Sequence, residues 1–199
     1  MNRILLIRHG NTDLSGRVLY GRTPGIHLNV EGLRQASRLS AALKQRHQLR
    51  SVISSPLERA VETAQLLSAA YGLPITIDEG LTEIDFGTWV GRSFAELNES
   101  EYWKAFNRKR SLSWPPDGET MTEVQARAWR AIHAISTKLP PDSNVALVTH
   151  GDVIRSVLVL LLGIPIDHIH RLDIAPGSVS EFLITGHDPI VTAVNQIFY

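Results

Sequence analysis

Short apolar runs that alternate with amphipathic helical segments constrain the fold of this chain more than any other feature of its sequence. "ILLI" at residues 4–7 and "VALV" at 145–148 are apolar at every position, which predicts strands buried on both faces of a sheet. Helical periodicity marks residues 28–46 and 120–139. This alternation predicts a three-layer α/β fold with a mainly parallel sheet and helices on both faces. The tail "SVSEFLIT-GHDP-IVTAVNQIF" predicts a final strand pair, so we expect the sheet to be mixed.

Capping residues predict where the helices begin. Asn29 is a candidate N-cap for the first helix, and Thr120 opens a T-x-x-E capping box before a later one. In "SSPLERAVETA", Ser55 is predicted to cap a further helix with Pro56 at its first position and Glu58 completing a capping box.

Residues 86–118 break the alternation of strands and helices. The segment is rich in Trp, Phe and basic residues, and it ends in a Pro-Pro-Asp-Gly turn. A length of 199 residues is enough for one substantial domain, so we interpret residues 1–199 as a single domain from which this segment departs. Two interpretations of the segment stay open: a cover over the functional site, and a helical insertion on the surface.

Composition excludes several classes of function. Lys plus Arg and Asp plus Glu number 20 each, and this zero formal charge gives no support to a general nucleic-acid or membrane-surface role. The chain has no cysteine, which excludes disulfides and thiolate metal sites. Its apolar runs are too short for a signal peptide or a membrane span. We expect a soluble, cytoplasmic protein; its oligomeric state is left open, with a homodimer among the options.

Two predicted core strands each carry a histidine to their carboxyl end. The first apolar run continues into Arg8, His9 and Gly10, and the second into His150 and Gly151. Ligands of open α/β sheets bind at the carboxyl ends of strands, so these residues are predicted to meet. One His-Gly pair is more often structural than functional, but two such pairs on two core strands favour a shared site.

Arg59 adds an independent indication. It lies in the first turn of the helix that follows Ser55, where the helix dipole disfavours a cation by roughly 0.3 to 1 kcal/mol. Either Glu58 compensates for this charge, or Arg59 and the free backbone N–H groups face a bound anion. Because Arg matches the geometry of phosphate oxygens, the second interpretation predicts phosphoryl transfer. No Walker loop or metal-ligand motif occurs, so the neutral imidazole of His9 is the candidate nucleophile.

Four motifs together resemble a known family. "LLIRHGNT", "SSPLERAVETA", "LTEIDFGTWVG" and "LVTHGDVIR" are similar to motifs of the histidine phosphatase superfamily, in the branch with cofactor-dependent phosphoglycerate mutases and alpha-ribazole-phosphatase-like enzymes. The resemblance spans nearly the whole chain in the family's order. It implies a phosphoglycerate mutase-like fold.

The resemblance implies a role for each matching residue. His9 is implied as the nucleophile that becomes phosphohistidine, and His150 as a charged donor to the phosphoryl group. Glu83 is implied as the proton donor and later the base; spacing alone does not separate it from Asp78, Glu79 and Asp85, but the L-x-E match does. The residues expected to contact phosphate are Arg8, Arg59, His150, Asn11 and Gly151.

These observations predict a phosphatase that hydrolyses small-molecule phosphomonoesters without a metal ion or other cofactor. Two alternatives stay open. The first is a phosphoglycerate mutase-type phosphoryl transferase, which the short excursion at 86–118 disfavours. The second is a non-catalytic protein that binds phosphorylated ligands, which the presence of all the matched core residues disfavours.

Overall fold

The computed structural model describes residues 1–186 and 188–199. Their strands are β1 (Asn2–Arg8), β2 (Leu49–Ser54), β3 (Ile75–Ile77), β4 (Asn144–Thr149), β5 (Val179–Ile184) and β6 (Ile190–Gln196). In this part of the chain the strands form one sheet in the order β3-β2-β4-β1-β5-β6. The pairs among β1 to β4 are parallel, whereas β5 and β6 are antiparallel to their neighbours. The predicted mixed, mainly parallel sheet is therefore confirmed.

Helices cover both faces of this sheet. They are α1 (Val30–Arg46), α2 (Glu58–Tyr71), α3 (Phe94–Asn98), α4 (Glu101–Arg108), α5 (Met121–Thr137) and α6 (Gly151–Leu161). Leu5 and Ile7 of β1 share an apolar cluster with α1 and α2, while Ile4 and Leu6 share another with α5 and α6. Alternate strand residues thus face opposite helix layers, which confirms the three-layer architecture. Among the described residues, none of the helices combines the length and apolarity needed to cross a membrane.

The predicted caps are correct at two helices and wrong at a third. Asn29 caps α1 and Thr120 caps α5, each through its side chain. Ser55 is the predicted cap of α2, but that helix begins after Leu57 and has no side-chain cap. The Ser55 hydroxyl lies 2.7 Å from Nε2 of His150 instead. Its hydrogen bond from the Leu57 amide is long, at 3.4 Å. A contact across the sheet therefore replaces the predicted local one.

Residues 86–118 lie outside the sheet and contain α3 and α4. Trp89, Trp103 and Phe106 are buried, and their rings pack on one another with centroid distances of 5.2 to 5.9 Å. All three belong to the apolar cluster that includes α5 and α6. Trp114, by contrast, is half exposed. The segment is thus anchored to the core by its own aromatic side chains.

Strand order places both histidines at one edge of the sheet. Arg8, the last residue of β1, pairs in register with Thr149, the last residue of β4. The His9 amide also donates to the Thr149 carbonyl at 3.1 Å. His9 and His150 therefore leave neighbouring parallel strands side by side, as the two His-Gly ends predicted.

Candidate active site

A cavity of about 210 Å³ opens at the carboxyl ends of β1 and β4. Four of the predicted site residues line it: Arg8, His9, Glu83 and Gly151. The segment 86–118 forms part of the opposite wall, with Phe86, Phe94, Trp103, Asn107 and Arg110. Within residues 1–186 and 188–199, no cluster of three or more His, Cys, Asp or Glu side chains has the arrangement of a metal site.

The His9 imidazole is buried at the floor of this cavity. Its Nδ1 lies 2.7 Å from the Gly10 carbonyl oxygen, and because a carbonyl accepts, Nδ1 carries the proton. Nε2 is then unprotonated, and it accepts a hydrogen bond from Nε of Arg59 at 3.3 Å. Burial lowers the pKa of His9 well below its ordinary value, and the positive charges of Arg59 and Arg8 lower it further. The imidazole is therefore neutral, with a lone pair on Nε2.

The Arg59 guanidinium lies behind His9 and is fully buried. Its Nη2 donates to the Gly21 carbonyl at 2.7 Å and to Nδ1 of His150 at 3.3 Å. The guanidinium also stacks over the Tyr20 ring, 4.8 Å from the centroid. Among the described residues, its Nη1 has no hydrogen-bond partner. The interpretation of Arg59 as a residue of the site is therefore favoured over that of a surface residue balanced by Glu58.

Arg8, the residue before His9, supplies a second guanidinium. Its Nη1 donates to the Ile174 carbonyl at 2.5 Å, while its buried Nε has no partner in the described part of the chain. Gly151 makes room for this side chain, because a Cβ at that position would lie 3.3 Å from Nε of Arg8. Each of the two arginines thus has a buried nitrogen without a hydrogen-bond partner in the described chain; Arg8 lines the cavity, whereas Arg59 lies beneath its lining.

His150 is fully buried and completes the cluster. Its ring lies 5.1 Å from that of His9, and its Nε2–H donates to the Ser55 hydroxyl. Its Nδ1 accepts from Arg59, so the ring is neutral. Burial lowers the pKa of His150 well below the ordinary value, and the charge of Arg59 adds to this. The expectation of a charged His150 is therefore wrong for this structure, because the neighbouring guanidinium disfavours a second cation.

Glu83 faces the same cavity from the loop that follows a 3₁₀ turn at Glu79–Leu81. Its Oε1 accepts from the Ile84 amide at 3.0 Å. Burial and the negative charge of Asp152 raise its pKa to about 7, although Arg59 and Arg8 oppose this rise. Of the four carboxylates between residues 78 and 85, it alone lines the cavity among the described residues.

Asn11, like Arg59 and His150, is not among the residues that line the cavity in the described structure. Its backbone N–H donates to the Gln35 side chain at 2.9 Å, and its carbonyl accepts from the Asn29 amide at 3.0 Å. A Cβ at Gly32 would lie 2.1 Å from the Asn11 oxygen, so only glycine fits beside it. These contacts fix the loop against α1, and the phosphate contact of Asn11 stays a prediction.

A second polar cluster, centred on Asp152, also lines the cavity. Asp152 pairs with Arg110 at 3.2 Å and with Arg155 at 3.0 Å. Burial opposes ionisation, but these two cations hold the pKa of Asp152 down to about 2. Nη2 of Arg110 also bonds Oδ1 of Asn107 at 2.9 Å and Nε2 of His170 at 3.1 Å. His170 is exposed at the surface and also lines the cavity.

Sequence reasoning reaches this cluster only in part. The basic run "NRKRS" contains a candidate anion-binding residue, but three adjacent basic residues give no means of choosing among them. Only Arg110 is buried, with its Nε unpartnered among the described residues. Arg155 and Asp152 lie one turn apart at the start of α6, and this i, i+3 spacing is the signal that could have found them.

The chain is similar to known proteins in sequence and in fold. Residues 4–197 match the model of the histidine phosphatase superfamily, branch 1. A probable phosphoglycerate mutase of Proteus mirabilis is 31% identical over 188 residues, which cover 91% of this chain and 84% of that protein. A solved structure of a mycobacterial glucosyl-3-phosphoglycerate phosphatase with VO3 is similar with a TM-score of 0.89 at 27% identity, covering 98% of this chain and 99% of that one. The expected phosphoglycerate mutase-like fold is confirmed.

One relative is much longer than this chain. A bifunctional protein of Mycobacterium tuberculosis is 35% identical over an alignment of 201 positions, which covers 99% of this chain but 54% of that protein. The chain thus spans about half the length of this curated relative, and the match concerns one part of it.

Proposed function

The chain belongs to branch 1 of the histidine phosphatase superfamily, and we propose that it hydrolyses small phosphomonoesters through a phosphohistidine on His9. The state of the His9 imidazole carries this proposal. Its Nδ1–H is bonded to the Gly10 carbonyl, which leaves the lone pair of Nε2 beside two arginines. A neutral imidazole held in this way is a nucleophile near neutral pH.

In the first step Nε2 of His9 attacks phosphorus while the ester P–O bond breaks. Arg8 and Arg59 bind the phosphoryl oxygens through the N–H groups that lack partners within the described chain. Arg59 turns its Nε–H from the imidazole to the phosphoryl group as the bond forms. Glu83, protonated near neutral pH because its pKa is about 7, gives its proton to the departing alkoxide.

In the second step water hydrolyses the phosphohistidine. The Glu83 carboxylate takes a proton from the water, whose oxygen attacks phosphorus as the P–N bond breaks. Inorganic phosphate leaves, and both His9 and Glu83 return to their starting states. The sum is one ester and one water converted to one alcohol and one phosphate.

The arginines also support a reaction without a metal ion. Two guanidiniums facing one phosphoryl group stabilise the charge that a divalent cation would otherwise neutralise. His150 contributes by donating to Ser55 and accepting from Arg59, which holds that guanidinium in place.

The charged cluster around Asp152 indicates the kind of leaving group. Arg110 and Arg155 share the carboxylate of Asp152, so the three side chains carry one net positive charge, and the exposed Asp173 lies 3.8 Å from Arg155. One carboxylate on the leaving group fits that charge, and the adjoining wall of Trp103 offers an apolar contact. The substrate named for the similar mycobacterial phosphatase, glucosyl-3-phosphoglycerate, is a compound of this chemical class.

Labelling tests the proposed intermediate. Brief mixing with a labelled phosphomonoester is expected to give an acid-labile, base-stable phosphoprotein, and His9→Ala to abolish it. His133→Ala changes an exposed histidine of α5 and is the matched control, which is expected to keep the label. Label that persists in His9→Ala, or that moves to His150, would contradict the assignment.

Leaving-group dependence tests the role of Glu83. Phenolates depart without a proton, whereas alkoxides do not, so Glu83→Gln is expected to slow hydrolysis of an alkyl phosphate far more than formation of phosphoenzyme from an activated aryl phosphate. Equal losses on both substrates would refute the role of general acid.

A phosphoryl transferase is the second candidate, because a protein named as a probable phosphoglycerate mutase is 31% identical to this chain. It predicts that labelled phosphoenzyme transfers its phosphoryl group to an added hydroxy acid. We expect transfer to water instead, measured as the fraction of label recovered as inorganic phosphate. A binding protein without activity would form no phosphoenzyme at all.

A further inference from the structure

The backbone of Glu83 is held by two arginines from distant parts of the chain. The Glu83 carbonyl accepts from Nε of Arg22 at 2.7 Å and from Nη2 of Arg127 at 3.2 Å. Arg22 lies in the loop between β1 and α1, and Arg127 lies in α5. Neither residue lines the proposed catalytic cavity in the described structure. Within the described chain, the hydrogen bonds of their side chains reach the proposed catalytic residues at Glu83.

Glu119 joins the two arginines. Its Oε2 accepts from Nη2 of Arg22 at 2.8 Å and from Nη2 of Arg127 at 3.0 Å, while its Oε1 accepts from Nε of Arg127 at 2.7 Å. The pair with Arg127 is thus bidentate, the geometry in which Arg and carboxylate bind most rigidly. Arg127 also donates to the Gly80 carbonyl at 2.9 Å, before the loop reaches Glu83.

We propose that Arg22, Glu119 and Arg127, here called the Glu83 cradle, are positioning residues. They hold the proton-donating carboxyl of Glu83 within hydrogen-bond distance of the leaving oxygen of the substrate. The proposal rests on the proposed function of Glu83 as general acid and base. With both its carbonyl and its Oε1 bonded, the residue has little freedom to withdraw from the cavity. General acid catalysis requires hydrogen-bond distance to the leaving oxygen, so a small displacement is costly.

The cradle is more than a surface ion pair. Arg127 and Glu119 keep only 17% and 16% of their side chains exposed, and both bond backbone or carboxylate groups from other chain segments. Exposed ion pairs of single contacts contribute about 0 to 1 kcal/mol and fix no neighbour. Here the acceptors belong to the very loop that carries Glu83, so the network transmits position to that residue.

The test compares Arg127→Gln with Arg130→Gln, one turn further along α5. Arg130 lines the same surface pocket as the three cradle residues, but it is exposed. Among the described residues it bonds only the Ala126 carbonyl of its own helix. We expect Arg127→Gln to lower kcat on an alkyl phosphate by about tenfold or more, the scale on which misplacement of a reacting group acts. The burst of phenolate from an activated aryl phosphate and inhibition by inorganic phosphate are expected to stay unchanged, as are all three measurements in Arg130→Gln.

A double-mutant cycle shows whether Arg127 acts through Glu83. Because Glu83 is the proposed catalytic residue to which Arg127 is hydrogen-bonded in the described chain, Arg127→Gln is expected to have no further effect on the alkyl phosphate in a Glu83→Gln background. Arg22→Gln, at a more exposed member of the cradle, is expected to show the same selective loss and serves if Arg127→Gln does not fold.

Each other outcome overturns the proposal. If Arg127→Gln and Arg22→Gln match Arg130→Gln, or slow the aryl burst as much as the alkyl reaction, the cradle does not position Glu83. If Glu83→Gln itself slows both substrates equally, Glu83 is not the general acid, and the positioning role of the cradle is refuted as well. If Glu83→Gln slows the alkyl phosphate selectively but Arg127→Gln does not, the positioning role of the cradle is refuted and the acid role of Glu83 stands.

Discussion

Replacement of Glu83 by Gln is expected to stabilise the folded protein while it removes activity. The carboxyl has a pKa of about 7 in the folded chain against an ordinary value of 4.5. That rise of roughly 2.5 pH units corresponds to about 3 kcal/mol, at about 1.4 kcal/mol per unit. The side chain is half-buried and partly hydrated, so we expect about 1 to 3 kcal/mol in practice.

The sign of the effect depends on pH. Because the folded chain keeps this proton to higher pH than the unfolded chain, folding takes up a proton between the two pKa values. The contribution of Glu83 to the free energy of unfolding of the wild type is therefore fully present below pH 4.5, and it is lost as the pH rises through about 7. Gln resembles the protonated acid and can still accept from the Ile84 amide, so the variant does not carry this loss.

Urea unfolding of both proteins at pH 5 and pH 8 measures the difference. We expect nearly equal free energies of unfolding at pH 5 and a Glu83→Gln advantage of about 1 to 3 kcal/mol at pH 8, or about 2 to 10 °C in Tm for a chain of this size. Glu99→Gln changes an exposed carboxylate and is expected to show no such pH-dependent gain. A wild type that is as stable as Glu83→Gln at pH 8 would refute the buried-acid reasoning.

Three further predictions concern the anion pocket. Arg59→Ala is expected to lower turnover by about 10²-fold or more, because it removes a buried charge-stabilising donor. It is also expected to move the acid limb of the kcat/KM profile to higher pH, because Arg59 lowers the pKa of His9. An unchanged pH profile would contradict this. Ser55→Ala is expected to lower the free energy of unfolding by about 1 to 3 kcal/mol, since it leaves the buried Nε2–H of His150 without its acceptor; equal urea midpoints would contradict it. Chelators are expected to leave the rate unchanged, whereas loss of activity that one divalent ion restores would refute metal independence.

The central layer of the fold and the core of the site are predictable from sequence for the same reason. Uninterrupted apolar runs identify buried parallel strands, and residues directly after such strands lie at one edge of the sheet. This rule alone brings Arg8, His9 and His150 together. Arg59 follows from a local argument, the presence of a cation where the helix dipole disfavours one.

Contacts between distant segments could not be predicted in the same way. Ser55 satisfies the local rule for an N-cap, but its hydroxyl binds His150, 95 residues away in sequence. The cradle joins Arg22, Glu119 and Arg127, three charged residues of the kind that usually lie at a protein surface. Nothing in their spacing indicates that they interact, because the Glu83 carbonyl, which Arg22 and Arg127 both bind, has no sequence signature.

The position of β1 between β4 and β5 has a consequence for how the chain acquires its structure during synthesis. Asn144 pairs with Arg3, so about 140 residues must be translated before β1 meets its first neighbour, and β5 follows still later. At about 5 to 20 residues per second, the nascent β1 waits for roughly 7 to 28 seconds. During that interval four consecutive apolar residues have no sheet to join, and slow, long-range pairing of this kind exposes a chain to aggregation. Chaperone dependence in the cell is therefore expected to track the time taken to reach residue 184, rather than the stability of the finished protein.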